Sequence, residues 1–225
     1  MVECGRYDRS NRPHALSTKA RLAHCRIVRL ATRTPGRKEP RSAVLTVSNA
    51  SSFAERVGPS DTFVQLVGVP HPSPAEAAEF QSIDLASARA AVSAAAGGGV
   101  KHFVYVSVAQ PSPVMKAYQA ARAEGELMIR DSGLDATILR PWYVLGPGHR
   151  WPYALIPMYW LLERIPGTRN TARRLGLVTL DQMVNALVAS VESKPDGVQI
   201  LEVPSIKTLT PEGSAKIKAL EVAGK

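Results

Sequence analysis

Three side chains that could hold or transfer a proton lie close together in the sequence: Ser107, Tyr118 and Arg122. Ser107 stands near the end of an apolar run, Tyr118 follows after ten intervening residues, and Arg122 is four residues further on. Positions four apart share one face of a helix. A phenol beside a fixed cation suits acid–base chemistry on a carbonyl or alcohol, with the serine hydroxyl holding the substrate oxygen. A solvated helix face, with the ring packed on a neighbour, fits the same spacing.

The elements that must position these residues alternate between strand and helix. Short apolar runs predict strands at Ala43–Asn49, Thr62–Val69, Val100–Val108 and Ala136–Leu139. Between them, helices are predicted around Ser51–Val57, from the capping sequence Ser73-Pro74-Ala75-Glu76 to Gly97-Gly98-Gly99, and over Val114–Asp131. Strands and helices that alternate in this way form right-handed βαβ units on a parallel sheet. The sequence therefore predicts an α/β fold with a Rossmann-like, doubly wound parallel sheet.

The last third of the chain has a different pattern. Trp151–Ile165 is dense in aromatic residues and is interrupted by Pro152 and Pro157. An amphipathic helix is predicted over Leu180–Glu192, and a last short strand over Val198–Val203. We interpret this part as a small C-terminal elaboration of the same domain.

The positive charge is concentrated at the start of the chain. The 225 residues carry a net charge of +9, but residues 1–43 hold eleven of the 28 basic and three of the 19 acidic side chains. The remaining residues are nearly neutral, so we expect no nucleic-acid partner. Cys4 and Cys25 suggest a reducing compartment and a cytoplasmic location.

Neither a metal site nor a membrane segment is expected. His71 and His149 have no acidic or thiol partner at ligand spacing. No apolar run reaches the roughly 18 residues of a spanning helix. Peripheral membrane contact is not expected either, because the Tyr153–Ile165 run lacks the basic polar face of interfacial helices.

Four stretches resemble the atypical and extended short-chain dehydrogenase/reductases. They are TFVQLVGVPHPSP, VKHFVYVSV, AYQAARAEGE and LRPWYVLGPGHRWP. The closest resemblance is to NAD(P)-binding proteins related to NmrA and to the Rossmann-type accessory subunit of complex I. This resemblance implies a dinucleotide cofactor, NADP or NAD, together with a small-molecule substrate.

The resemblance also implies roles for individual residues. Val67 and Gly68 would lie under the adenine ribose and pyrophosphate, while Ser107 and Tyr118 match the family's catalytic serine and tyrosine. The stretch beside the nicotinamide would comprise Pro141, Trp142, Tyr143 and Val144. The implied activity is that of an oxidoreductase or epimerase on a small carbonyl, alcohol or sugar-like substrate. The alternative is a non-catalytic NAD(P)H-binding sensor or assembly protein.

Two departures from the family pattern stand out. The lysine of the Tyr-x-x-x-Lys motif is Arg122 here, whose planar fork does not replace a compact ammonium. Residues 1–43 contain only Gly5 and Gly36, so the first strand and the glycine-rich turn are expected to be missing or degenerate. Cys25–Arg33 resembles the family's second strand, which would place Arg33 near the 2′-phosphate of NADP.

These departures set the predicted boundaries. Residues 1–25 form an atypical basic segment, and residues 26–225 form the NAD(P)-binding domain, with a substrate-side part over about 142–225. One hypothesis is that the first segment is read in a shifted frame, because a one-base shift of Cys4–Ser10 permits a glycine turn. The gene sequence tests this directly: a shifted frame without glycine codons would reject it.

Overall fold

A computed structural model describes residues 49–57, 60–69, 72–146, 151–193 and 195–209. Its six strands are β1 (Thr62–Gln65), β2 (His102–Val106), β3 (Asp135–Arg140), β4 (Tyr143–Leu145), β5 (Leu177–Thr179) and β6 (Val198–Glu202). Four of them form a parallel sheet in the order β1-β2-β3-β6, and β4 pairs with β5 in a small second parallel sheet.

Helices connect these strands. They are α1 (Ala54–Val57), α2 (Ala77–Glu79), α3 (Ala86–Gly97), α4 (Lys116–Asp131), α5 (Ile156–Leu162), α6 (Arg169–Arg174), α7 (Leu180–Glu192) and α8 (Val203–Thr208). A π-helical turn, Phe80–Leu85, joins α2 to α3. Short 3-10 turns cover Ala50–Ser52, Pro74–Glu76 and Trp151–Leu155.

Local sequence signals set several helix ends. The Ser73 amide donates to Glu76 Oε2 at 2.8 Å, as expected of a capping box. Gly99 and Gly133 follow α3 and α4 with φ angles of 70° and 71°. Such left-handed conformations cost glycine little, so both helices end where the glycines stand.

Alternating side chains of the sheet serve two separate apolar layers. On one face, Phe103, Tyr105 and Ile138 pack with α3 and with Ile129 of α4. On the other face, Val104 and Leu139 pack with residues of α7 and α8. This arrangement of helices on both faces of a parallel sheet confirms the predicted α/β, Rossmann-like class.

The structure corrects some element boundaries. The strand predicted over Thr62–Val69 ends at Gln65, because the chain then leaves the sheet as a loop. The β4–β5 pair was not predicted. Several predictions lie outside the described residues: the strand at 43–49 except for its last residue, the strand at Cys25–Arg33 with Arg33, the 1–25 segment, and the glycine turn. In the part of the chain that the structure describes, no helix combines the length and the apolar character needed to cross a membrane.

Candidate functional site

The predicted site residues follow the carboxyl ends of neighbouring strands. Gly68 comes after β1, Ser107 after β2 and Pro141 after β3. Backbone pairing continues beyond β2 and β3, since the Ser107 amide donates to Leu139 at 2.8 Å and the Ala109 amide to Pro141 at 2.9 Å. Ligands of open parallel sheets bind at this edge. The fold thus brings Gly68, Ser107 and Pro141 to the edge at which parallel sheets of this kind bind ligands.

Arg122 lies inside the protein at this edge. Arg122 is 5% exposed and Asp84 is 1% exposed. The Nη2 atom of Arg122 lies 2.5 Å from the Oδ1 atom of Asp84. Its Nη1 donates to the Val106 carbonyl at 2.9 Å. The second oxygen of Asp84 accepts from the Val69 amide at 3.1 Å. Arg122 therefore ties the π-helical turn, the end of β2 and the loop after β1 together.

Gly68 rests directly on this ion pair. A Cβ at Gly68 would lie 2.1 Å from Arg122 Nη2 and 2.9 Å from Asp84 Oδ1. Because both groups are buried and held by further hydrogen bonds, neither can move aside cheaply. The loop after β1 can therefore take this path only with glycine at position 68.

Tyr118 lies over the same guanidinium. Its ring centroid is 5.2 Å from Arg122 Cζ and 5.0 Å from the Phe80 ring. Burial raises the pKa of Tyr118, and the Arg122 charge lowers it by less, so the net direction is upward. The cation thus acts on the phenol as the sequence predicts, but burial outweighs it. Tyr118 keeps its proton at neutral pH.

The titration of Tyr118 provides a direct check. Phenolate absorbance is measured against pH in the wild type and in Tyr118→Phe, and the difference reports Tyr118 alone. We expect the midpoint of this difference to lie above the ordinary tyrosine pKa of 10.0. Since the folded pKa is raised above the unfolded one, this phenol's contribution to stability is complete below about pH 10 and is lost as the pH rises through the folded value. A midpoint below 10 would show that the cation dominates, which would favour an acid–base role.

Ser107 belongs to a neighbouring cluster around Glu126. The Ser107 hydroxyl donates to Glu126 Oε1 at 2.5 Å, and both residues are 3% exposed. Glu126 also accepts from Gln110 at 2.8 Å and from Arg140 Nε at 3.0 Å. Arg140 in turn donates to Glu202 at the end of β6 at 3.1 Å. Within the described residues, no hydrogen bond joins Ser107 to Tyr118.

The remaining predicted residues among those described follow β3 or lie in the loop after β1. Pro141 is buried, Val144 lies in β4, and the rings of Trp142 and Tyr143 meet edge to face with centroids 5.4 Å apart. Val67 is buried in the loop that carries Gly68. Of the predicted set, the structure joins Gly68, Tyr118 and Arg122 in one cluster and places Ser107 in the next.

Sequence reasoning missed the two carboxylates that organise both clusters. Asp84 stands in an alanine-rich helical stretch, where an isolated acid is normally solvated. Glu126 offered a clearer signal, because it continues the four-residue spacing of Tyr118 and Arg122 along one face of α4. Among the described residues, no three His, Cys, Asp or Glu side chains lie together as a group that could hold a metal ion.

Comparison with protein families gives the site its context. A family model described as NAD(P)H-binding matches residues 14–151, which is more than half of the chain. The chain belongs to this NAD(P)H-binding family. The family's cofactor is a nicotinamide dinucleotide, and the site above lies inside the matched region. No curated protein sequence matches the chain.

Solved structures share its fold at low sequence identity. A UDP-galactose 4-epimerase is 18% identical with a TM-score of 0.51. The match covers 71% of this chain and 60% of the epimerase chain. A dTDP-glucose 4,6-dehydratase, DesIV of Streptomyces venezuelae solved with NAD, is 20% identical with a TM-score of 0.51, covering 80% and 62%. WbmH of Bordetella bronchiseptica, in complex with NAD+, is 16% identical with a TM-score of 0.51, covering 85% and 71%. The chain thus spans about three-fifths of the length of the first two.

Two features of this edge bear on how a nicotinamide dinucleotide could be held. Gly68 lies in the loop after β1, at the edge where ligands of open parallel sheets bind, and its missing side chain makes room for the Arg122–Asp84 pair inside the protein. After β3, Trp142 and Tyr143 add two half-buried aromatic rings, packed edge to face, that could border a nicotinamide ring. A nicotinamide dinucleotide would supply hydride-transfer chemistry when bound.

Proposed function

We propose that this protein binds NAD(P)H as a sensor or regulatory ligand, without tyrosine-dependent hydride transfer. The observation that carries this proposal is the buried Arg122–Asp84 pair. In the motif that Arg122 resembles, the cation serves the nicotinamide ribose. Here the guanidinium lies directly against Gly68. It pairs with Asp84 and donates to the Val106 carbonyl, so it is already engaged within the protein.

The protonation states support the same proposal. An acid–base tyrosine needs a pKa brought towards neutrality, whereas burial raises the pKa of Tyr118. Ser107 directs its hydroxyl proton to Glu126, so it is left as an acceptor only. Such a site is suited to holding a cofactor rather than to turning it over.

In this proposal the dinucleotide lies across the carboxyl edge of β1, β2 and β3. Val67 and Gly68 would pass under the ribose and pyrophosphate, and Pro141, Trp142, Tyr143 and Val144 would flank the nicotinamide. The choice between NADP and NAD would depend in part on Arg33. A cytoplasmic location belongs to the same proposal, because the only cysteines are Cys4 and Cys25.

A second candidate function is reductase or epimerase activity on a small carbonyl, alcohol or sugar-like substrate. It is favoured by the position of Tyr118, half-buried beside Arg122 at the ligand edge. In that case Tyr118 would be the acid–base group, Ser107 would hold the substrate oxygen, and Arg122 would supply the charge. The structural neighbours named as nucleotide-sugar enzymes make nucleotide sugars the first substrates to try.

Titration with NADPH and NADH separates a binding protein from a reductase. We expect saturable binding and no loss of nicotinamide absorbance when carbonyl compounds or nucleotide sugars are added. An epimerase returns its cofactor unchanged in each cycle, so epimerisation is tested by analysing nucleotide sugars for the epimer after incubation with the protein and NAD+, and we expect none. Turnover that disappears in Tyr118→Phe, with cofactor affinity kept, would establish the enzyme instead. Absence of saturable binding of either dinucleotide would reject both.

A glycine variant tests where the cofactor binds. Gly68→Ala should weaken NADPH binding by about tenfold or more, because the new Cβ displaces the loop from Arg122. The control is Gly97→Ala, since a Cβ at Gly97 meets nothing within 4 Å. Equal affinities of the two variants would show that the loop after β1 does not contact the dinucleotide.

A further inference from the structure

The segment after β4 exposes an unusual amount of apolar surface. Among the described residues, six of the eleven exposed large apolar side chains lie within 13 consecutive positions, each 45–56% exposed. They are Tyr153, Ile156, Met158, Trp160, Leu161 and Ile165. We call this set the apolar tip. A monomeric protein in water rarely concentrates such side chains on one short segment.

Helix α5, which carries most of the apolar tip, is held by few contacts of its own. None of its residues is buried, and its half-buried Tyr159 interacts with Trp142 and Tyr143. A helix of seven residues is marginal in water without packing on a partner. The tip therefore has an apolar surface that the described part of this chain does not cover.

Positively charged residues lie in and next to the segment that carries the apolar tip. The Arg164 guanidinium lies 3.6 Å from the centroid of the Trp160 ring. Helix α6 packs against α5 and adds Arg169, Arg173 and Arg174. The only acid between residues 151 and 176 is Glu163, which leaves four arginines against one carboxylate. Tryptophan, aliphatic side chains and arginine together are the composition of segments that lie in a membrane interface.

We propose that the apolar tip binds the anionic surface of a phospholipid bilayer, with α5 in the interface and the α6 arginines on the lipid headgroups. A second copy of this chain fits less well, because it would bring the same four arginines to the contact. The sequence alone predicts no membrane contact, because Tyr153–Ile165 contains only one basic residue, Arg164. The fold supplies the missing charge by placing α6 beside α5.

Vesicle sedimentation with the full chain tests this proposal. We expect stronger partitioning onto phosphatidylglycerol–phosphatidylcholine vesicles than onto pure phosphatidylcholine, and weaker partitioning as salt is added. Removal of one arginine charge, as in Arg173→Gln, should reduce the partition coefficient about fivefold. Trp160→Ser should reduce it by about tenfold or more, because it removes an interfacial anchor.

The matched control is Leu127→Ser, which alters an equally exposed apolar residue on α4, away from the tip. It should bind vesicles as the wild type does, and NADPH affinity should be unchanged in all three variants. The proposal is overturned by three results: no preference for anionic vesicles, equal losses in Leu127→Ser and Trp160→Ser, or self-association that Trp160→Ser abolishes without any vesicle binding. Circular dichroism of each variant separates these results from misfolding.

Discussion

Replacing Asp84 with Asn is expected to lower the free energy of unfolding by about 3–5 kcal/mol. Asp84 is the only described carboxylate in contact with the Arg122 guanidinium, and both side chains are almost fully buried. The Asn side chain keeps the shape and can still accept from the Val69 amide. It leaves the arginine charge in the interior without compensation, and that is the source of the cost.

Urea denaturation followed by circular dichroism and fluorescence measures this change. Glu124→Gln is the matched control, because the Arg89–Glu124 pair is 3.5 Å apart but its side chains are 66% and 49% exposed. We expect it to cost about 0.5 kcal/mol or less. If Asp84→Asn does not fold, the double variant Asp84→Leu with Arg122→Met should recover most of the stability, since it removes both charges. Equal losses in Asp84→Asn and Glu124→Gln would contradict the buried pair.

Replacing Glu126 with Gln is the second change with a large expected effect, a loss of about 2–3 kcal/mol. The Glu126 carboxylate accepts hydrogen bonds from Ser107, Gln110 and Arg140. A glutamine amide of the same shape has one accepting oxygen and turns an NH2 group towards the other donors. At least one buried donor then loses its hydrogen-bond acceptor, and Arg140 loses a negatively charged partner.

The control for this variant lies on the opposite side of the same arginine. Glu202→Gln removes the other carboxylate from Arg140, but the Glu202 side chain is partly exposed to water. Its loss should therefore be about 1 kcal/mol or less after solvent screening. A smaller loss in Glu126→Gln than in Glu202→Gln would show that the Glu126 cluster is not the main link between α4 and β3.

The elements that sequence reasoning predicted well are those with local signals. Helix α7 has the predicted limits, Leu180–Glu192, because Thr179 and Gln182 cap its start and its apolar residues follow a helical period. The helix before Gly97 and the strand around Ala136 were found for similar reasons. Strands β4 and β5 have three residues each, which is too short for a period to show.

The buried ion pair could not be predicted from local pattern. The π-helical turn has more residues per turn than an α-helix, so it directs Phe80, Asp84 and Leu85 inward together. A π-helical turn has no sequence signature that separates it from the α-helix around it. The choice of Arg122 as the partner of Asp84 depends on how α4 packs against this turn, which is a tertiary contact. Tyr118 and Arg122 were found by spacing, but their surroundings were not.

The path of the loop over Arg122 also limits how this protein can vary. Every missense change at position 68 introduces a Cβ, and each one meets the same guanidinium at 2.1 Å. A larger residue at 68 is tolerated only if position 122 becomes smaller, and a neutral residue at 122 leaves Asp84 as an unpaired buried acid. Substitutions at positions 68, 84 and 122 are therefore coupled, although these residues lie in a loop, a π-helical turn and a helix.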